Sequence, residues 1–476
     1  MGGLRIASDR APAGELVVAS PWDGRELARV DAADAGHVDD ALGVAHGLFR
    51  DRGRWLSVPE RVQVLERAAA IMASRIEELT LTAASEGGKP YADSRVEVIR
   101  AIDGVKLCAE TLRGDAGAVI PIGTTPATLG RAAFTQKEPI GVVVAVSAFN
   151  HPLNLIVHQV GPAVASGCPV VVKPAADTPL SCLAFVDILY EAGLPREWCQ
   201  AIVTDDLATA EALVTDSRVG FFSFIGSSRV GWMLRSKLAP GVRCALEHGG
   251  AAPVIVAPPF AQEAVIPAIA KGGFYHAGQV CVSVQRVYVP RASASDFADA
   301  LASAADALVV GPPEEPATEV GPLIRPAEAA RVAAWVEEAT AAGATLRTGG
   351  KPLDNNAYSP TVLLDPPDDT KVSTLEIFGP VVCVYGYEDI DDAIARANAL
   401  PVAFQAAVFS ENVDTAMQVC RQIDASAVMI NDHSAFRDDV MPFAGLRESG
   451  LGVGGIPYTM HDMQIDKMLV VKSSAL

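Results

Sequence analysis

The sequence predicts an α/β protein built around a parallel, doubly wound sheet. Two observations carry that prediction. From residue 141 onward, short apolar runs alternate with amphipathic stretches through short connections, the pattern of strand–helix units whose strands lie parallel. Before that point, residues 35–112 repeat apolar side chains at helical spacing, Val62, Leu65, Ala68, Ala69 and Met72 among them, with charged residues between.

In chain order, a strand is expected at 141–147, a helix at 153–166 and a second strand at 169–173. Thr178-Pro179 opens the next helix, with proline in the first turn where its missing N–H costs nothing, and Gly193 stops it. Strands follow near 200–203, 220–225 and 242–247, with helices between. A second α/β block begins at 251–256 and runs through 286–289, a long helix at 327–342, and strands near 381–387, 405–409 and 427–430. A polar loop is expected over 431–455. The tail 466–471 is an apolar strand with no local partner, and the Thr- and Pro-rich segment 118–139 leaves the first block. These two orphans are expected to pair into a protruding sheet, whose edges a neighbouring subunit would cover.

A chain of 476 residues exceeds one ordinary core, so two or three domains are expected. With 50% hydrophobic and 20% charged residues it has the profile of a globular enzyme. A formal net charge of -19 repels nucleic acid and anionic membranes, which excludes both as expected partners. The 8 cysteines show no metal-type spacing, so no metal site is expected. Most sit in apolar runs as reduced thiols. The opening Met1-Gly2-Gly3-Leu4-Arg5-Ile6 carries no apolar signal segment. No apolar run approaches the roughly 20 residues of a membrane span. A cytoplasmic location is expected.

Cys281 differs from the other cysteines. It follows Gly278-Gln279-Val280, a turn between an expected helix and an expected strand. Upstream, Glu247 ends a strand and is followed by His248-Gly249-Gly250. A thiol and a carboxylate, each released from regular structure by glycine, suit thioester formation followed by hydrolysis. A thiol with that role is expected to have a lowered pKa. Asn150, in Ala148-Phe149-Asn150-His151-Pro152, closes a parallel strand where such sheets bind ligands. Its amide, with the Cys281 backbone N–H, would stabilise an oxyanion; turn capping is the plainer alternative. Lys173-Pro174 ends the next strand, and Gly226-Ser227 leads a strand into a helix N-terminus, which suits a phosphate. Neither turn carries GxGxxG.

Together these pieces resemble the aldehyde dehydrogenase superfamily over nearly the whole chain. The matching segments are Ala148 to Asn154, Val172-Lys173-Pro174, Phe224-Ile225-Gly226-Ser227, Leu246 to Gly250, Gly278 to Cys281, Glu376-Ile377-Phe378-Gly379-Pro380 and Met441-Pro442-Phe443-Ala444-Gly445, in the family order. The resemblance implies a Rossmann-type NAD(P)-binding domain (1–122 and 140–249), an α/β catalytic domain (250–454) and a small β oligomerisation arm (123–139 and 455–476) that builds a homodimer or homotetramer. It implies Cys281 as nucleophile, Glu247 as general base and Asn150 as oxyanion donor. It places Ser147, Ala148, Phe149, Lys173, Ala176, Gly226, Ser227, Glu376 and Phe378 at the cofactor. The reaction implied is oxidation of an aldehyde to the acid through a thiohemiacetal and a thioester on Cys281.

Three positions depart from the family pattern. Ala176 stands where a Glu often binds the adenosine ribose, which leaves both NAD and NADP open, with a lean to NAD. His248 replaces a usual Leu, a change expected to perturb the pKa of Glu247, and Ala444 replaces a usual Gly. The expected substrate mouth holds His151, His158, Tyr275, His433 and Arg437. Relatives acting on long or aromatic aldehydes place apolar side chains there, so a short, polar or anionic aldehyde is expected, with Arg437 as an anion clamp; pairing of Arg437 with Asp438 or Asp439 is the alternative. The segment Val280 to Val287 resembles that of the branch containing lactaldehyde and phosphonoformaldehyde-type dehydrogenases. A CoA-acylating semialdehyde dehydrogenase of the same fold stays open, although a water-activating Glu247 argues against it. A cysteine hydrolase using His276 would have no use for the nucleotide-binding block, and a non-catalytic binding protein would not keep Cys281, Glu247 and Asn150 together.

Overall fold

The computed structural model describes residues 3–476. Met1 and Gly2, read above as part of the N-terminus, lie outside the described residues.

The helical stretch resolves into four helices, Ala35–Arg50, Val58–Ser74, Ile76–Gly87 and α1 (Tyr91–Gly114). Val62, Leu65, Ala68, Ala69 and Met72 are all buried, as their spacing requires. The chain breaks at Gly88-Lys89-Pro90 because Gly88 turns left-handed (φ 73) and Pro90 has no N–H to continue the helix.

The first sheet comprises β1 (Val142–Val146), β2 (Val170–Lys173), β3 (Cys199–Ala201), β4 (Val219–Ile225) and β5 (Arg243–Glu247), in the order β5-β4-β1-β2-β3 and parallel throughout. Helices α2 (Asn154–Ser166) and α3 (Leu180–Glu191) cross between its strands, and α4 (Ser228–Arg235) joins β4 to β5. Every residue of α2 is buried, so the helix is apolar on nearly all sides. The strand order reverses at β1, which opens a crevice at the carboxyl ends of β1 and β4.

The second sheet contains β6 (Ala252–Val256), β7 (Val284–Pro290), β8 (Thr345–Thr348), β9 (Thr361–Leu364), β10 (Val381–Tyr387), β11 (Gln405–Phe409) and β12 (Ala427–Ile430), ordered β8-β9-β10-β7-β6-β11-β12. Only β8 runs antiparallel. Helix α5 (Gln262–Phe274) leads from β6 toward Cys281. The expected loop 431–455 is not wholly irregular. It contains Gly450–Leu451, which adds antiparallel to β5 with Gly450 opposite Glu247. A two-residue strand has no sequence period of its own; pairing with a distant edge creates it.

The two orphan segments do pair. Gln464–Lys472 and Arg131–Pro139 form an antiparallel ladder in continuous register, and Val119–Ile120 adds a third strand. Its faces expose Val119, Phe134, Ile465, Met468, Val470 and Val471. Ile456, Met460 and Met463, just before the tail strand, instead pack into the core beneath the first sheet. Among the described residues, no helix is long and apolar enough to cross a membrane.

Candidate active site

The sheet ends gather the candidate residues at the crevice. Ser147, Ala148, Phe149 and Asn150 follow β1, Lys173 ends β2, Gly226 and Ser227 follow β4, and Glu247 ends β5. Cys281 arrives from the second half of the chain. Before it, His276, Ala277 and Gly278 all adopt left-handed conformations (φ 50, 52 and 70), strain of the kind that collects at functional sites. Gly278 is required twice there, since any Cβ would also collide with the Gly379 carbonyl oxygen. The next residue clamps the turn. The Asn150 Nδ2 donates to the Gln279 carbonyl at 3.0 Å, and Gln279 Oε1 accepts the Ile324 N–H at 3.0 Å. The amide of Asn150 is therefore buried beside the segment that carries the thiol, with one N–H left for a ligand.

The Cys281 thiol does not have the expected lowered pKa. Burial pushes it up to about 12, with the negative fields of Glu376 and Glu247 adding and only Arg437 and the residue's own backbone N–H opposing. The resting group is a protonated thiol, so a base must take its proton when it attacks. A solvent water can take it, which leaves Glu247 unprotonated for the later activation of water. Burial raises the Glu247 carboxyl to about 6, opposed by the Arg437 charge. Its neighbour in space is Gly454, where a Cβ would collide with the carboxylate. Gly454 is fixed by exchanging backbone hydrogen bonds with Phe443 at 3.0 and 2.7 Å.

The Gly249-Gly250 turn connects this base to Glu376. A Cβ on Gly249 would overlap the Glu376 carboxylate, so the close approach depends on glycine. Burial raises Glu376 to about 8, and its Oε1 is buried with no hydrogen-bond partner. Ser147 Oγ is likewise buried and unpartnered. Among the described residues Lys173 forms no ion pair, and its Nζ donates to the Pro174 carbonyl at 3.2 Å. Phe149 and Phe378 meet edge to face at 5.8 Å, with Phe378 held at φ 48. Ser227 starts α4 without a side-chain cap. An unpartnered hydroxyl, an unpartnered carboxylate oxygen and an ammonium group with donors to spare, beside an uncapped helix start, fit the ribose hydroxyls and pyrophosphate of a dinucleotide.

The mouth residues fall into two groups. His151 accepts from Lys89 Nζ at Nδ1 (2.9 Å), and its Nε2 lies 3.4 Å from the Tyr275 hydroxyl. His158 is buried between Asp439 (2.8 Å) and Arg437 (3.3 Å). Arg437 does not pair with Asp438 or Asp439. Asp439 is taken by Arg100 at 2.6 Å, and the Arg437 guanidinium lies 3.5 Å over the Phe443 ring with Nε buried and unpartnered. Arg437 also lines a cavity of about 350 Å³ with Arg100 and Lys106, and with the acids Asp103, Glu110, Asp438 and Asp439. His433 packs against α5 at Gly272. His276 is fully buried, its ring 6.1 Å from that of His151.

His248 does not act on Glu247. It turns the other way, placing Nδ1 3.0 Å from the Gly226 carbonyl and its ring edge-on to Phe224 and Trp232 at 5.7 and 5.8 Å. Nothing in the structure explains Ala444.

Sequence reasoning missed Lys89 and Glu97. The two form a buried ion pair, and Glu97 Oε1 also accepts the N–H groups of Leu153 and Asn154, both at 2.9 Å. Lys89 Nζ lies 3.4 Å from the Asn150 carbonyl, so the pair fixes the loop carrying Asn150. The available signal was a carboxylate at helical spacing with buried Ser94, Val98 and Ala101. Lys89→Met leaves the Glu97 charge unpaired and should cost about 3–5 kcal/mol of stability. Adding Glu97→Gln, which keeps the Oε1 acceptor, should restore most of it in urea unfolding.

Comparisons with known proteins identify the family. The family profile described as the aldehyde dehydrogenase family matches residues 8–469. A 3-sulfolactaldehyde dehydrogenase of Priestia aryabhattai is 37% identical over 458 residues, 96% of this chain and 95% of that protein. The crystal structure of aldehyde dehydrogenase 21 from Physcomitrella patens, in complex with the reaction product succinate, superimposes with a TM-score of 0.93 at 34% identity, covering 99% of this chain and 97% of that one. Glyceraldehyde-3-phosphate dehydrogenase from Methanocaldococcus jannaschii, complexed with NADP, gives 0.92 at 31% identity, covering 97% and 100%. The chain belongs to the aldehyde dehydrogenase family. It is an enzyme, an oxidoreductase of aldehydes.

Proposed function

We propose that this protein oxidises a short aldehyde bearing an anionic group to the acid, with NAD or NADP as acceptor, through a covalent intermediate on Cys281. The observation that carries the substrate reading is the Arg437 guanidinium, without a carboxylate partner and close enough to Glu247 and Cys281 to shift both. A cation desolvated in this way is costly unless a ligand anion satisfies it. Relatives named for sulfolactaldehyde and for the product succinate support the same class.

In the reaction, the Cys281 sulfur attacks the aldehyde carbon as its proton passes to a solvent water. The resulting alkoxide of the thiohemiacetal is held by the free N–H of Asn150 Nδ2 and the Cys281 backbone N–H. A bound nicotinamide supplies the hydride acceptor. Glu247 then deprotonates a water that attacks the thioester carbon, and the Cys281 thiol leaves as the acid forms. Lys173 and Glu376 would hold the two riboses, Gly226 and Ser227 the pyrophosphate, and Ser147, Ala148, Phe149 and Phe378 the nicotinamide end. Ala176 offers no carboxylate to a ribose 2′-hydroxyl or against a 2′-phosphate, so both dinucleotides fit this reading, with the lean to NAD. Tyr275 and His151 would face the substrate.

The domain reading keeps 1–122 with 140–249, 250–454, and 123–139 with 455–476. The exposed apolar side chains of the projecting sheet support burial against a second copy in a homodimer or homotetramer. Eight free cysteines support a reducing, cytoplasmic setting.

The test compares succinate semialdehyde, lactaldehyde and hexanal with both dinucleotides. Succinate semialdehyde should have the largest kcat/KM, and Arg437→Met should lower it about 10–100-fold more than it lowers that for hexanal. Highest kcat/KM on hexanal would remove the anionic-substrate reading.

A further inference from the structure

Hydrogen-bond chemistry assigns the state of His158. Its Nδ1 lies 3.3 Å from an Arg437 Nη2, and a guanidinium has only donors, so Nδ1 must be the acceptor. The proton is therefore on Nε2, which donates to Asp439 Oδ1 at 2.8 Å. Asp439 stays ionised for that role because Arg100 engages both of its oxygens, at 2.6 and 3.2 Å. His158 is 5% exposed and Asp439 7%, so water does not compete for these bonds. Burial also lowers the His158 pKa to about 4, which keeps the ring neutral. The other side of the guanidinium is fixed by the Phe443 ring at 3.5 Å, and no described hydrogen bond satisfies Nε.

We propose that His158, held in one tautomer by Asp439, is the positioning residue that aims Arg437 at the substrate anion and so sets the preference for anionic over neutral aldehydes. The proposal rests on Arg437 being the anion clamp. Position 158 works because a neutral imidazole accepts from a guanidinium at one end while anchored at the other. An aliphatic side chain would leave Arg437 free to rotate over Phe443. A cation would repel it.

The test measures KM and kcat for succinate semialdehyde and for butanal, which lacks the anion, in four enzymes: the parent, His158→Leu, His158→Asn and Arg437→Met. His158→Leu should raise KM for succinate semialdehyde about 10-fold or more, leave kcat within about two-fold, and leave butanal oxidation unchanged. His158→Asn, whose Oδ1 replaces the Nδ1 acceptor, should recover most of the loss. Equal damage to both aldehydes in His158→Leu, or no recovery in His158→Asn, overturns the proposal. Arg437→Met separates the two claims. If it leaves the succinate semialdehyde to butanal ratio unchanged, the clamp fails and the positioning role with it. If Arg437→Met shifts the ratio and His158→Leu does not, the clamp stands and the positioning role alone is refuted.

Discussion

Cys281→Ala should lower turnover by at least about 10,000-fold while dinucleotide binding, followed by fluorescence quenching, persists. No other thiol can substitute. Cys108, Cys168, Cys182, Cys199 and Cys383 are buried, and the half-buried Cys244 and Cys420 lie at the start of β5 and on the helix Val413–Gln422. The loss should not come from unfolding. The thiol belongs to a small cluster with Val280, Val282, Phe404 and Phe443, outside the two large cores. Its removal vacates one atom, and the clamp through Gln279 is made by backbone and by a different side chain. Turnover in Cys281→Ala within about 100-fold of the parent would contradict a covalent route, since a bypassed nucleophile costs far more.

Glu247→Gln should give one burst of reduced nicotinamide and then stall, with steady-state kcat down about 100–10,000-fold. The substitution is close to isosteric, and the glycine at 454 still leaves room for it. The pH dependence follows from the raised carboxyl. A base with a pKa of about 6 is ionised above that value, so the parent's kcat should fall as pH drops through about 6. Glu247→Gln should lack that limb. An absolute requirement for CoA in the parent would instead mean that the thioester is resolved by a second thiol, and Glu247 would lose its assigned role.

Much of this site was legible because its chemistry lies at strand ends, where apolar runs stop and glycine begins. Asn150, Lys173, Gly226 and Glu247 each follow such a run, and the sheet brings them to one crevice. The projecting ladder was legible for a related reason: an apolar strand without a local partner must pair elsewhere, and 464–472 does so with 131–139. What could not be read was anything created by tertiary approach. The short strand Gly450–Leu451 exists only because β5 offers an edge. The elevated thiol depends first on burial and then on Glu376 and Glu247 converging from distant positions. The direction of His248 is set by Phe224, Trp232 and the Gly226 carbonyl, so a residue adjacent to the base in sequence faces away from it. Lys89 lies in the break between two helices and Glu97 on α1, and only the packing reveals that they support the Asn150 loop.

The most direct measurement is intact-peptide mass spectrometry of Glu247→Gln, quenched in acid during its burst with succinate semialdehyde and dinucleotide. The account requires a succinyl adduct on the peptide containing Cys281, in an amount matching the reduced nicotinamide formed. A burst without an adduct, or an adduct on another residue, would contradict it.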